Sequence, residues 1–159
     1  MDGMTKLRSV AALVLPAIVF FMAACTLRVE KLKSPGINDP FFDFDPNIGS
    51  WQDSVFLMCC NGTISTGEGQ LTKGSYEIRL TAKGSQAYME YPALKVMINR
   101  RLLETVRLDS NFTTYRIPFV LEENDAVRIR LRFDQDGLDD KGNDRNVFIR
   151  KVTVSPAGH

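Results

Sequence analysis

Short runs in which apolar and polar residues alternate fill the chain from Trp51 onward, and Gly, Asn and Asp separate them. Alternation with a period of two is typical of a strand that buries one face. The runs predict strands within residues 76–83, 94–98, 103–108, 115–119, 127–133 and 147–154, and residues 51–70 are expected to supply the first strands. No helical period is evident. The pattern therefore predicts an all-β fold, an antiparallel β-sandwich of jelly-roll type.

The connections between the runs suggest a pairing order. Asn99 and Arg100 predict a hairpin turn between two strands, and Pro118 predicts an edge strand because proline cannot donate to a sheet ladder. The turn at residues 122–125 predicts that the strand at 115–119 pairs with the strand at 127–133. The arginines that alternate along this last strand are interpreted as a solvated face, with contact to an acidic ligand as the alternative.

The N-terminus has the pattern of an export signal. Lys6 and Arg8 precede an apolar run that is too short to span a bilayer and that stops at Cys25. The residues before Cys25 resemble the lipobox of bacterial lipoproteins, which implies lipidation of Cys25 and, with Thr26 after it, location at the outer membrane. We expect a signal peptide over residues 1–24, a lipidated tether rich in Pro, Asp and Phe over 25–47, and one β-sandwich domain over 48–159.

Charge and composition exclude several classes of function. The chain carries a formal net charge of +1, and the segment removed with the signal contains Asp2, Lys6 and Arg8, which leaves the mature part near neutrality. A phosphate-binding surface needs a clustered excess of Lys and Arg, so no nucleic-acid partner is expected. The chain has a single histidine, His159, which argues against histidine-based catalysis or a zinc site.

Two adjacent cysteines, Cys59 and Cys60, remain after Cys25. A strained vicinal disulfide, free buried thiols and an intermolecular bridge are all open. The interpretation favoured by the sequence is that they are two small apolar residues in a strand that continues from Val55, Phe56 and Leu57.

The candidate chemistry is concentrated in residues 134–144, the acidic loop, which holds five carboxylates and one lysine between two predicted strands. Like charges packed so closely repel unless a cation neutralises them, and calcium prefers several oxygen ligands in flexible loops. The loop does not have the spacing of an EF-hand, because Asp139 and Arg145 stand where Gly and Glu are required. A solvated acidic turn is the alternative, since Asp and Gly are ordinary turn formers.

Residues 74–154 resemble the calcium-dependent, xylan-binding type of carbohydrate-binding module. The resemblance rests on the strand at 76–80, the hairpin at 96–101, the run from Arg132 to Asp136, and the run from Asp144 to Ile149 that begins Asp-Arg-Asn. In that family adjacent sugar hydroxyls complete the coordination of a loop-bound calcium. By position, the resemblance implies Asp136, Asp139 and Asp144 as metal ligands, and Asp134, Asp140 and Asn143 as further ligand-binding residues. The chain differs from the family pattern at Gly137–Leu138, where aromatic residues are usual, and at Arg150, where Asp is usual. The alternation of the last strand predicts that Arg150 lies on the same face as Phe148, Val152 and Val154.

The sequence thus predicts a non-catalytic surface lipoprotein that binds polysaccharide through a loop-bound calcium ion. The alternative is a structural or protein-interaction lipoprotein of the outer membrane with a metal-free site, in which Arg150 pairs with a loop aspartate. A hydrolase is disfavoured, because the clustered acids lie on one short loop and do not face each other across a cleft. Trp51, Phe56, Tyr88 and Tyr91 are the candidate ligand-facing aromatics, with burial in the core as the alternative for each.

Overall fold

A computed structural model of the chain describes Asp45 and residues 47–158. The described residues form strands and no helix: β1 Gly49–Gln52, β2 Val55–Met58, β3 Gly62–Ser65, β4 Gly69–Leu71, β5 Gly74–Gly84, β6 Ala93–Ile98, β7 Arg101–Arg107, β8 Thr113–Leu121, β9 Asp125–Val127, β10 Ile129–Phe133 and β11 Val147–Pro156. The predicted signal peptide, Cys25 and most of the tether lie outside these residues. In this part of the chain no helix has the length and apolarity that crossing a membrane requires.

Two antiparallel sheets enclose the core. One sheet has the strand order β1-β2-β11-β5-β8, the other has the order β3-β10-β6-β7, and β4 pairs with β9 in a short ribbon. The predicted alternation is observed in β5, where Tyr76, Ile78, Leu80 and Ala82 are buried. These side chains belong to one buried cluster with residues of the other sheet, such as Leu131 of β10. Burial of each large apolar side chain stabilises the fold by about 1.5–3 kcal/mol. The two antiparallel sheets around one core confirm the predicted all-β sandwich.

One predicted pairing is wrong. The strand with Pro118, β8, is an edge strand as expected, but it pairs with β5 and not with the run at 127–133. That run is split at Arg128 into β9 and β10, and β10 lies between β3 and β6 in the other sheet. The turn at 122–125 is thus a crossover between sheets, which the alternation of side chains alone cannot distinguish from a hairpin.

The pairing of β11 with β5 determines which loops are neighbours. Val147 at the start of β11 lies opposite Gly84 at the end of β5, and Val147 also lies opposite Met58 at the end of β2. Because antiparallel strands place such ends together, the acidic loop before β11, the connection after β5 and the connection after β2 all lie at the same end of the sandwich.

Candidate functional site

The acidic loop folds back on itself as a small hairpin. Leu138 and Asp144 form a β-bridge, and the Asp139 amide donates to the carbonyl oxygen of Asn143 at 2.9 Å. Gly142 closes the turn with φ of 80°, a left-handed conformation that glycine adopts without a steric penalty. The loop therefore has defined backbone geometry.

The Asp139 carboxylate organises this hairpin. Its Oδ1 accepts from the Lys141 and Asn143 amides at 3.0 and 2.8 Å, and its Oδ2 accepts from the Asn143 side-chain amide at 2.9 Å and from the Tyr88 amide at 3.3 Å. The Asn143 side-chain hydrogen bond is the largest of the effects that lower the pKa of Asp139 to about 2. Donors that bind the ionised form stabilise it, so Asp139 stays ionised and its carboxylate stays in place within the hairpin.

The other loop carboxylates have different surroundings. Asp134 accepts from the Lys95 ammonium at 2.7 Å, which lowers the pKa of this carboxyl, and Arg132 Nε lies 3.4 Å from the same oxygen. Asp136 and Asp140 are exposed, and the Asp136 amide donates to Asn61 Oδ1 at 2.8 Å. In Asp45 and residues 47–158, no three His, Cys, Asp or Glu side chains are grouped closely enough to hold a metal ion.

Arg145 and Asn146 anchor the loop to the sandwich. Arg145 is 11% exposed, and its guanidinium donates to the carbonyl oxygens of Gln135 and Ala87 at 3.1 and 2.8 Å. Asn146 Nδ2 donates to Asp144 Oδ2 at 3.0 Å. Its Oδ1 is buried without a hydrogen-bond partner among the described residues, so one oxygen of a side chain that binds Asp144 is left unsatisfied.

A strained turn faces the acidic loop. Ala87 and Glu90 exchange backbone hydrogen bonds, and the two residues between them, Tyr88 and Met89, have φ of 55° and 61°. Such turns normally contain Asn or Gly, because a side chain at positive φ costs free energy. Tyr88 is nevertheless 60% exposed and Met89 is 88% exposed. Residues with a strained backbone cluster at ligand sites, so this Tyr88–Met89 turn is part of the candidate site.

The turn and the acidic loop border one open cleft of about 890 Å³, within the size range of ligand sites. The Tyr88 hydroxyl donates to the Leu138 carbonyl oxygen at 2.7 Å. A Cβ on Gly137 would lie 3.6 Å from Cε2 of Tyr88, so the Tyr88 ring occupies the space beside the position where the family pattern has an aromatic residue. The cleft is lined by Ser85, Gln86, Tyr88, Met89, Asp139, Asp140, Lys141, Gly142, Asn143 and Asp144.

The cleft contains some of the residues that the sequence singled out and several that it did not. Asp139, Asp140, Asn143 and Asp144 line it, whereas Asp134 and Asp136 are not among its lining residues. Ser85 was missed, although its hydroxyl donates to the Asp144 carbonyl oxygen at 2.5 Å and accepts from the Asn146 amide. Its position in the chain could have indicated it, because Ser85 directly follows β5. The connection after β5 adjoins the one before β11 whenever these two strands pair.

The other candidate aromatics are placed away from the cleft lining. Phe56 is buried in the core, and Trp51 packs edge-on against it with ring centroids 5.3 Å apart. Tyr91 is half-buried. Of the four candidates, Tyr88 alone lines the cleft.

Arg150 does not lie where the alternation of β11 suggested. A register shift between Ile149 and Lys151 separates it from the later inward positions, so Arg150 is exposed while Val152 and Val154 are buried. Its guanidinium carbon lies 3.8 Å from the centroid of the Phe112 ring, a cation–π contact. The expectation that Arg150 shares a face with Val152 and Val154 is therefore wrong.

The fold has known counterparts. A family 35 carbohydrate-binding module from an environmental isolate is 13% identical over 80% of this chain and 95% of that chain, with a TM-score of 0.52. An acetyl xylan esterase from the rumen bacterium Butyrivibrio proteoclasticus is 12% identical over 80% of this chain but only 33% of that chain, with a TM-score of 0.51. These similarities define the class of the fold, a β-sandwich like those of carbohydrate-binding modules. No curated protein sequence matches the chain.

The family follows from the sequence itself. A family model described as Ca-dependent carbohydrate-binding module, xylan-binding (CBM60), matches residues 77–159, which is more than half of the chain. The chain belongs to this family, and the resemblance predicted from its motifs is confirmed at that level. The matched region contains the acidic loop, the Tyr88–Met89 turn and the cleft between them.

Proposed function

We propose that this chain is a non-catalytic module that binds polysaccharide in the cleft between the acidic loop and the Tyr88–Met89 turn. The observation that carries the proposal is the pairing of an exposed aromatic ring with carboxylates across one cleft, in a member of a carbohydrate-binding family. A sugar presents apolar C–H faces and polar hydroxyl edges, so the Tyr88 ring packs against a face while the loop oxygens bind hydroxyls.

Calcium fits the oxygen chemistry of this loop. Asp136 and Asp140 are exposed, Asp144 Oδ2 accepts from the Asn146 side-chain amide, and the oxygen of that amide is unsatisfied. Hard oxygen donors of this kind are what calcium binds. We assign Asp136, Asp144 and the Asn146 amide oxygen as the groups that would hold the ion, with Asp140 and the Asn143 carbonyl as further donors.

The remaining loop residues have supporting roles in this proposal. When bound, calcium would supply positions at which neighbouring sugar hydroxyls replace water. Asp139, which the sequence suggested as a ligand, holds the loop backbone through its hydrogen bonds to Asn143, Lys141 and Tyr88. The Lys95 ammonium neutralises the Asp134 carboxylate. The role of Asp134 in this proposal is therefore to hold the start of the loop against β6.

A second candidate function has a specific observation in its favour. Four N–H groups satisfy the Asp139 carboxylate, so the loop keeps its shape through hydrogen bonds alone. A structural or protein-interaction lipoprotein with a metal-free site would need no more than this. In that case the exposed Tyr88, Met89 and Leu138 side chains would form the contact surface.

The attachment of the module is also a proposal. Lipidation of Cys25 and the tether over residues 25–47 would hold the domain at a bacterial outer membrane, where a polysaccharide ligand is retained near the cell. Labelling of cells with a radioactive fatty acid, compared between wild type and Cys25→Ala, tests this part independently. Loss of label from the variant is expected, and equal labelling would exclude lipidation at Cys25.

The decisive experiment measures binding and metal dependence together. Affinity electrophoresis in gels with xylan or other polysaccharides is run with calcium and with chelator, alongside thermal unfolding under the same conditions. A ligand that binds only the folded state raises the unfolding temperature, so calcium should raise the unfolding temperature. Calcium should also permit the polysaccharide to retard the protein in the gel. Asp144→Ala should lose both effects. Glu122→Gln, an exposed acid beside Leu121 at the opposite end of β5, is the matched control.

The outcomes separate the two candidates. Retardation and a calcium-dependent thermal shift support the metal-assisted module. Retardation that is the same with chelator as with calcium supports polysaccharide binding but contradicts a role for calcium in it. Absence of retardation across a broad panel of polysaccharides contradicts the proposal and favours the protein-interaction alternative.

A further inference from the structure

Cys59 and Cys60 lie immediately after β2, where the chain has left the sheet, and not in a strand as the sequence suggested. Their Sγ atoms are 3.8 Å apart. Adjacent side chains in a continuing strand point to opposite faces, so this approach depends on the bend after β2. The bend is fixed because the amides of Cys59 and Cys60 both donate to the carbonyl oxygen of Ile48, at 3.0 and 3.2 Å.

The two thiols differ in their access to solvent. Both are free, Cys60 is exposed, and Cys59 is half-buried with its Sγ 3.6 Å from the Ile48 carbonyl oxygen. An accessible thiol beside a shielded one suits a reaction in two steps. The accessible thiol first reacts with an external molecule, and the shielded thiol then displaces that molecule. The Cys59 thiol is held next to Cys60 Sγ, so it can reach that sulfur without a second external thiol having to diffuse to it.

We propose that Cys59–Cys60 is a redox modification site, at which the two thiols form a vicinal disulfide by exchange with an external small-molecule or protein disulfide. The Cys60 thiolate attacks one sulfur of the external disulfide and releases one thiol. The Cys59 thiolate then attacks Cys60 Sγ and releases the second thiol. The cysteine pair loses two protons and two electrons, and the external disulfide gains them to become two thiols.

Ring closure makes this disulfide easily reversible. The sulfur atoms must approach from 3.8 Å to about 2.05 Å. The Cα atoms of neighbouring residues are about 3.8 Å apart across a trans peptide, less than the roughly 4.4–6.8 Å of ordinary disulfides. The resulting strain raises the reduction potential, which is characteristic of labile rather than structural disulfides.

The chemistry of Cys60 also sets the pH at which exchange is rapid. The hydrogen bond with Cys59, followed by burial and the negative charges of Cys59, Asp136 and Asp144, raises the pKa of the Cys60 thiol. Since the thiolate is the reactive form, exchange accelerates as the pH rises above neutrality.

The modification site is connected to the acidic loop. Asn61 directly follows the pair, and its Oδ1 accepts from the Asp136 amide at 2.8 Å. Closing the ring reorients the peptide between Cys59 and Cys60, and this movement changes the position of Asn61. The redox state of the pair therefore alters the placement of Asp136, one of the carboxylates proposed above to bind ligand.

The covalent step is tested on the full chain with Cys25→Ala, which removes the third thiol. The reduced protein is incubated with oxidised glutathione, and its intact mass and reaction with iodoacetamide are measured. We expect loss of two hydrogen atoms, no retained glutathione, no iodoacetamide adduct and no covalent dimer. Cys60→Ser is the matched control, and it should instead keep a free thiol or a glutathione adduct. Glutathione retained on both cysteines, a covalent dimer, or thiols that stay reactive would overturn the proposal.

The coupling to the loop has a separate measurement. The amide resonance of Asp136 in isotope-labelled protein is compared between the reduced and oxidised forms by nuclear magnetic resonance. A shift at Asp136 that disappears in Asn61→Ala is expected, and an unchanged resonance would overturn the coupling. Neither measurement requires glycan or calcium, so the result does not depend on the function proposed above.

Discussion

The Tyr88 hydroxyl donates a hydrogen bond to the Leu138 carbonyl oxygen at 2.7 Å, and this contact joins the strained turn to the acidic loop. It holds the ring beside Gly137, where the family pattern has an aromatic residue of its own. The aromatic surface of this cleft therefore comes from a different loop than the carboxylates do. Substitutions of Tyr88 can separate the role of the ring from that of the hydroxyl.

The first prediction concerns that separation. Tyr88→Ala removes an aromatic contact worth about 1.5–3 kcal/mol when buried by ligand, so polysaccharide affinity should fall roughly tenfold to a hundredfold. Tyr88→Phe keeps the ring and loses one hydrogen bond, worth about 1 kcal/mol, so it should retain most of the affinity. Isothermal titration with a soluble oligosaccharide measures both. Equal losses in the two variants would mean that the ring does not contact the sugar.

The second prediction concerns acid stability. Hydrogen bonds hold the pKa of Asp139 near 2, below its ordinary value of 3.8. The ionised carboxylate thus contributes stability that is fully present above pH 3.8 and is lost as the pH falls through about 2. The unfolding temperature of the wild type should fall across this window, and Asp139→Asn should fall less from a lower starting value. Asp140→Asn is the control and should follow the wild-type profile.

The third prediction distinguishes a metal site from a metal-free loop. In Asn146→Asp a carboxylate replaces the side-chain amide whose oxygen is unsatisfied, and the hydrogen bond from that amide to Asp144 is lost. Without calcium, repulsion between the two acids should lower the unfolding temperature by several degrees. With calcium, the added charge should strengthen binding by about tenfold, or about 1.4 kcal/mol. A destabilisation that calcium does not relieve would favour the metal-free alternative.

The fourth prediction concerns Arg150. Its guanidinium stacks on Phe112, so Arg150→Ala should cost about 0.5–1 kcal/mol of stability, as exposed cation–π contacts do. Polysaccharide binding and the calcium response should be unchanged, because the contact lies outside the cleft lining. Arg150→Lys is the matched control that keeps the charge. A changed calcium response in Arg150→Ala but not in Arg150→Lys would indicate that the guanidinium acts on the loop.

The sequence predicted local structure better than it predicted connections. The strand at 76–83 was evident because Tyr76, Ile78 and Leu80 alternate with charged residues, and burial of one face imposes that alternation. The partner of β8 was not evident, since the same alternation fits a hairpin and a crossover. The shift at Arg150 was also hidden, because a β-bulge is a property of the paired strands and not of one strand's composition.

The site was predicted in part for a similar reason. Carboxylate clustering identified the acidic loop from its composition alone. The roles within the loop depend on which N–H groups point at which oxygen, so Asp139 and Asp136 could not be told apart by sequence. The Tyr88–Met89 turn has no Gly or Asn to mark it, and its strained conformation follows from the tertiary structure around it.

The Ile48 carbonyl, which holds the bend at Cys59 and Cys60, also marks where the polypeptide enters the sandwich. Gly49 lies opposite Met58, and Met58 lies opposite Val147 beside the acidic loop. Whatever precedes the domain therefore leaves it on the same side as the cleft. An anchor attached through the residues before β1 would thus join the domain at the end that carries the cleft, so anchoring and ligand binding would share one end of the sandwich.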